Sequence, residues 1–310
     1  MNVIPIRSDK VYEKMMKQTA KNKKEIYRHE LMMPFEKMWA LYNVPMKAKT
    51  ENGYDVIMAS DMLGYLNPEH VNEACREDII EISSESLWLS CAEAIKNSLA
   101  LFDESGIELP VKDYLFTIIL ANPDNATIRL SKGYVGHGGI PGYLFGCLTP
   151  NNYTLRRLPA LFAHEVNHNT RFQFIEWKND ITLGEMIVSE GLAENFVAKM
   201  YGEDFLGPWI TEMDIELLEY VMTVIFDNLH VQGLDQLNSF LYGDDIVELQ
   251  GGQPVGLPYC AGYVCGFYLI KYFLNKTGNS IVNATLLPAD IILKEVECFW
   301  ELAVEEIIYF

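Results

Sequence analysis

The segment Leu161-Phe162-Ala163-His164-Glu165-Val166-Asn167-His168-Asn169 constrains this chain more than any other stretch. Two histidines four residues apart fall on one face of a helix, a single turn from each other, so both imidazoles can point at one metal ion. Glu165 sits too far round the helix to complete that pair. It can instead reach a water beside the metal, where a carboxylate acts as a general base. Upstream, Leu155, Leu158, Leu161 and Phe162 recur at helical spacing. Pro159 is expected in the first turn, where a missing amide proton is tolerated. Apolar Phe162, Ala163 and Val166 flank the histidines, which predicts an interior helix. Buried polar groups left unpartnered cost about 1–3 kcal/mol each, so a metal explains the histidine pair better than a core that satisfies both rings by other means.

A catalytic zinc ion takes three protein ligands and keeps one position open. Ser189-Glu190-Gly191-Leu192-Ala193-Glu194 lies in a second helical run, predicted from near Leu183 to about Tyr201, and Glu190 follows His168 by 22 residues. That interval lets the first helix end, a loop turn near Lys178-Asn179-Asp180, and the second helix return antiparallel. Glu194 stands one turn beyond Glu190 on the same face. One carboxylate of the two then binds metal, while the other accepts the N–H of a ligating histidine and fixes its tautomer. Glu190 is the choice for the metal, because Gly191 beside it lets two helices approach closely. The alternative for this pair is an ordinary solvated acidic face.

With both motifs in view, the chain resembles the glutamate-zincin (gluzincin) metallopeptidases. Within them it is similar to a bacterial family of predicted zinc-dependent proteases whose second motif reads Ser-Glu-Gly-Leu-Ala-Glu. The similarity runs from about Gly133 to Phe273. It implies that His164, His168 and Glu190 bind Zn²⁺, that Glu165 is the catalytic base, and that Glu194 supports a ligand from behind. Thermolysin-like members have a shorter gap between the second histidine and the glutamate, a departure that bears on Glu190 against Glu194 and leaves the histidines untouched. Gluzincins often carry an oxyanion donor, a tyrosine or histidine downstream of the ligands. Tyr263 is the candidate, with Tyr259 behind it; the other reading of Tyr263 is a core tyrosine with a satisfied hydroxyl.

Composition narrows the partners. The formal net charge of −19 gives a surface that repels phosphate backbones and anionic lipid, which excludes nucleic-acid and membrane-surface binding as expected roles. The first ten residues lack the apolar core of a secretory signal, and no apolar run approaches the roughly 20 residues needed to cross a bilayer. Six scattered cysteines without a Cys-x-x-Cys pair suit reduced core thiols. The expected compartment is the cytoplasm.

Along the chain, Ser8 to about Asn43 reads as helix interrupted at Pro34, Tyr54–Met58 as a short strand, and Ser84–Ser105 as a long helix ended by Gly106. Tyr114–Leu120, rich in aromatic and β-branched residues, predicts a buried strand, with Thr127–Leu130 as its partner. Gly133–Gly146 is the most unusual run. Part of it is read as an edge strand lining the cleft, where an extended peptide can pair by strand addition, with a plain glycine-rich hairpin as the other reading. His137 in this run is either a substrate contact or an exposed loop residue. Thr211–His230 and Leu234–Tyr242 are expected as helices. Another opens at Tyr259, where Ala261, Gly262 and Gly266 suit tight packing. The tail to Phe310 reads as helical.

Together these features predict an α+β, zincin-like fold. A mixed α/β half over residues 1–150 carries a small sheet, a mainly helical half over residues 151–310 carries the metal motifs, and the cleft lies between them. The implied activity is zinc-dependent hydrolysis of peptide bonds in a peptide or protein substrate. The alternatives are a zinc-binding interaction protein without catalysis, and a metal-dependent hydrolase of a non-peptide amide.

Overall fold

The aromatic and β-branched run after Lys112 forms the centre of a four-stranded sheet. In this computed structural model, which describes residues 1–50 and 53–308, the strands are β1 (Asn2–Pro5), β2 (Asp113–Leu120), β3 (Tyr134–His137) and β4 (Tyr143–Leu148), in the order β1-β2-β4-β3. β1 and β4 both run parallel to β2, and β3 returns antiparallel to β4. The fold is therefore α+β with a small mixed sheet, and 62% of it is helical. The Gly133–Gly146 run proves to be a hairpin whose first strand is the sheet edge. Pro141 lies in the connection, where no ladder bond is lost.

Four long helices dominate the rest: α1 (Glu85–Glu104), α2 (Asn152–Arg171), α3 (Leu183–Tyr201) and α4 (Ala261–Thr277). α2 starts earlier than its apolar spacing suggests, so Pro159 lies two turns inside it rather than in the first turn. α2 covers one face of the sheet. Phe162 meets Phe116 of β2 edge-on, and a Cβ on Gly146 of β4 would stand only 2.8 Å from Leu158.

Two expected strands are helices. Asp55 caps Val56–Met62, its carboxylate accepting from the Ile57 and Met58 amides, and Asn125 caps Ala126–Leu130 by accepting from Ile128. A side chain that satisfies first-turn amides tips such short, ambiguous segments towards helix despite their β-branched content. Asp214 likewise caps a fresh helical start at Ile215, so the run from Thr211 to His230 is broken, with its main helix at Leu218–Asn228. β1 went unrecognised because four mostly exposed residues carry little pattern. Residues 309 and 310 of the predicted helical tail lie outside the described residues; Val304–Ile308 is helical.

The chain divides into two compact units, Met1–Ala100 with Leu109–Asn169, and Leu101–Glu108 with Thr170–Phe310. The first holds the whole sheet. The second is built on α3 against α4, where glycines remove the side chains that would hold the helices apart. A Cβ on Gly191 would stand 2.0 Å from the Gly266 carbonyl oxygen, and one on Gly266 would stand 2.2 Å from that of Ile187. Asn195 adds a bond across the same seam, its amide donating to the carbonyls of Gly191 (2.8 Å) and Phe267 (2.9 Å).

Backbone cannot yield to a methyl group at such distances without moving a helix. Gly266→Ala should therefore lower unfolding free energy by at least about 2 kcal/mol, the range of core overpacking. Urea denaturation reads this as a drop in midpoint; an unchanged midpoint would mean that the helices do not rely on this contact.

Candidate metal centre

α2 delivers both histidines to one point. His164 and His168 are buried, their rings lie 4.7 Å apart between centroids, and their Nε2 atoms face each other at 3.0 Å. Two nitrogens bound to one tetrahedral zinc, each at about 2.0–2.1 Å, would be about 3.3 Å apart, so the pair fits that role with almost no adjustment. One ligand atom from each of His164, His168 and Glu190 lies within 4.8 Å of the others, and all three residues are buried. Two imidazoles and one carboxylate form a donor set suited to zinc.

Glu165 points another way, as its place on the helix requires. Its carboxylate lies against the hairpin: a Cβ on Gly136 of β3 would stand 2.1 Å from Oε1, and one on Gly138 would stand 2.6 Å from the Glu165 carbonyl oxygen. The two glycines are needed here for space. Asn169, one residue past the second histidine, ties the same hairpin to α2. Its Nδ2 donates to the carbonyls of Gly138 (2.8 Å), Ile140 (2.8 Å) and Tyr143 (3.0 Å), and its Oδ1 accepts from the Gly142 amide (2.7 Å). One side chain thus fixes the loop joining β3 and β4 beside the histidines.

His137 is a half-buried member of β3, and its Nδ1 shares a hydrogen bond with the Tyr65 hydroxyl at 2.9 Å. Burial pulls the His137 pKa down to about 4 and pushes that of Tyr65 well up, so both are neutral at pH 7. Glu194 of α3 accepts from Trp209 Nε1 (2.7 Å) and from the Gly207 amide (3.2 Å). Trp209 packs on Tyr263, which also packs on Tyr242. Burial, then the charge of Glu190, pushes the Tyr263 hydroxyl well above its ordinary pKa. It stays protonated, as a donor must. Sequence reasoning missed Asn169, Tyr65 and Trp209. For Asn169 a signal existed, since an amide inside an apolar helix face must find partners.

His164, His168 and Glu190 form a buried group that could hold a metal ion, on an α+β scaffold. The chain belongs to the family described as "Predicted Zn-dependent protease (DUF2268)", whose model matches residues 87–294. It is 36% identical over 301 residues to "Uncharacterized protein YjfC" of Bacillus subtilis strain 168, an alignment that covers 96% of this chain and 99% of that protein. "Uncharacterized protein YjaZ" of the same organism is 27% identical over 135 residues, 43% of this chain and 49% of that protein. No solved structure matches the chain. The family's description names zinc dependence, and the His164, His168 and Glu190 group can hold such an ion. No helix among the described residues is long and apolar enough to cross a membrane.

Two measurements test the scaffold of the site. Asn169→Ala removes every bond of the hairpin clamp and should cost about 2–4 kcal/mol in unfolding free energy; a loss below about 0.5 kcal/mol, the size of an ordinary surface substitution, would show that the hairpin holds without it. His137 takes a proton near pH 6.5 when unfolded and near 4 when folded, so the unfolded state binds more protons in between. Stability should fall as pH drops through that window, by up to about 3 kcal/mol from this residue, and His137→Gln should flatten the dependence. Identical slopes for the two proteins in urea melts from pH 7 to 4.5 would contradict it.

Proposed function

We propose that this chain is a zinc-dependent peptidase with a zincin-like site, hydrolysing peptide bonds in an extended substrate. The observation that carries the reading is the convergence of the His164, His168 and Glu190 ligand atoms, with Glu165 next in sequence and held against the sheet edge. When bound, zinc supplies a Lewis acid at that convergence. The chain's own residues do the rest.

Glu165 takes a proton from the attacking water and passes it to the departing amine. Tyr263 donates its O–H to the carbonyl oxygen as charge builds there, and its raised pKa supports that role. Glu194, anchored by Trp209 and Gly207, braces the ligand helix. β3 carries no strand on its outer side among the described residues. An extended peptide adding there by main-chain hydrogen bonds would run past Gly136, against which the Glu165 carboxylate rests. The acidic surface favours peptides over nucleic acids or anionic membranes, and six unpaired cysteines suit the reducing cytoplasm.

Metal analysis and a peptide-library assay on the wild type and Glu165→Gln test this directly. Zinc should bind both proteins at one equivalent, with hydrolysis falling at least about a hundredfold in the variant, the usual worth of a general base. Equal turnover in the two would remove Glu165 from the mechanism. Zinc-dependent melting without turnover of any peptide would leave a metal-binding protein and end the peptidase reading.

A further inference from the structure

The second unit contains a cavity that the proposed catalysis does not use. It measures about 320 Å³ and is lined by residues following the metal helix and by the segment Pro288–Leu293. At about 30 Å³ per liquid water it would hold roughly ten, near the lower bound of small-molecule pockets, which span about 300–1,000 Å³. In its wall lies Arg171, the last residue of α2 and only 2% exposed.

Arg171 is buried without an ion pair among the described residues. Its Nη1 donates to the carbonyls of Thr285 and Leu287, both at 2.8 Å. Glu185 acts on it through space only; its Oε2 is engaged by the amide and hydroxyl of Thr182 in the capping box of α3. Burial lowers the guanidinium pKa to about 10, so the charge persists at neutral pH. A buried cation in the wall of a cavity, with no ion pair among the described residues, is an incomplete ion pair, and an anionic group entering there completes it.

The rest of the lining decides which anion. Phe172, Ile175 and Leu293 are apolar, whereas three carboxylates, the exposed Glu176 and Asp290 and the half-buried Glu185 engaged by Thr182, outnumber Lys178. Inorganic phosphate or a dicarboxylate would meet repulsion there, in a chain that already carries −19. A molecule with a carboxylate at one end, an ammonium at the other and an apolar body satisfies all three surfaces.

We propose that this cavity binds a small zwitterion of the α-amino acid type, its carboxylate on Arg171, its ammonium towards Asp290 and Glu176, and its side chain against Phe172, Ile175 and Leu293. The site is separate from the metal ligands and does not depend on the chain being a peptidase.

Isothermal titration calorimetry of the full chain tests it with free leucine and phenylalanine, leucinamide, N-acetyl-leucine and inorganic phosphate. The free amino acids should bind saturably. Leucinamide, which lacks the carboxylate, and N-acetyl-leucine, which lacks the ammonium, should each bind at least about tenfold more weakly, and phosphate should not bind. Leu293→Trp, which fills the cavity without touching Arg171, should abolish binding with an unchanged circular dichroism spectrum. Arg171→Lys should weaken it, and Glu165→Gln should leave it intact. The proposal is overturned by the absence of saturable binding, by equal affinity for leucine and leucinamide, by tight phosphate binding, or by undiminished binding in Leu293→Trp. Loss of binding in Glu165→Gln would also overturn it, placing the amino acid at the metal centre instead.

Discussion

Everything about this site depends on two imidazole nitrogens being held 3.0 Å apart at the end of a buried helix. Without a cation the rings can share only one hydrogen bond between them, with one nitrogen donating. With a cation both lone pairs are used, and the carboxylate of Glu190 brings the charge that a dication needs in a low-dielectric surrounding. The neighbouring residues of α2 continue the theme. Glu165, Asn167, Asn169 and Thr170 are all buried, an expensive arrangement for a helix that also covers a sheet, and at Asn169 the cost is offset by hydrogen bonds to the hairpin.

The opposing carboxylate is set by a different device. Glu190 is positioned by the helix pair α3–α4, and that pair is positioned by what it lacks. Gly191 and Gly266 bring backbone to backbone, Asn195 bonds across the seam, and Glu194 anchors the helix to Trp209 and Gly207. A seam where backbone meets backbone has little freedom to slide, and Glu190, one residue from Gly191, inherits that rigidity. Precision at the site thus rests on glycine spacing as much as on the ligands themselves.

Much of this was legible in the residue order. Four-residue spacing of histidines encodes a shared helix face, the run read from near Leu183 to about Tyr201 matches α3, and the glycines beside Glu190 and at Gly266 announce close helix contact. What stayed hidden depended on partners distant in the chain or on single caps. Trp209 meets Glu194 from 15 residues away, and Tyr65 meets His137 across 72 residues; neither leaves a periodic trace. Asp55 and Asn125 turned two strand-like segments into helices through one or two side-chain hydrogen bonds each, a competition that propensity alone does not resolve.

The central claim concerns one position in space, and diffraction can find it. Crystals of the protein grown with zinc, measured on either side of the zinc absorption edge, should show a single strong anomalous peak within about 2.0–2.2 Å of His164 Nε2, His168 Nε2 and a Glu190 carboxylate oxygen. No peak there, or a peak coordinated by other residues while the two rings remain hydrogen-bonded to each other, would contradict the account.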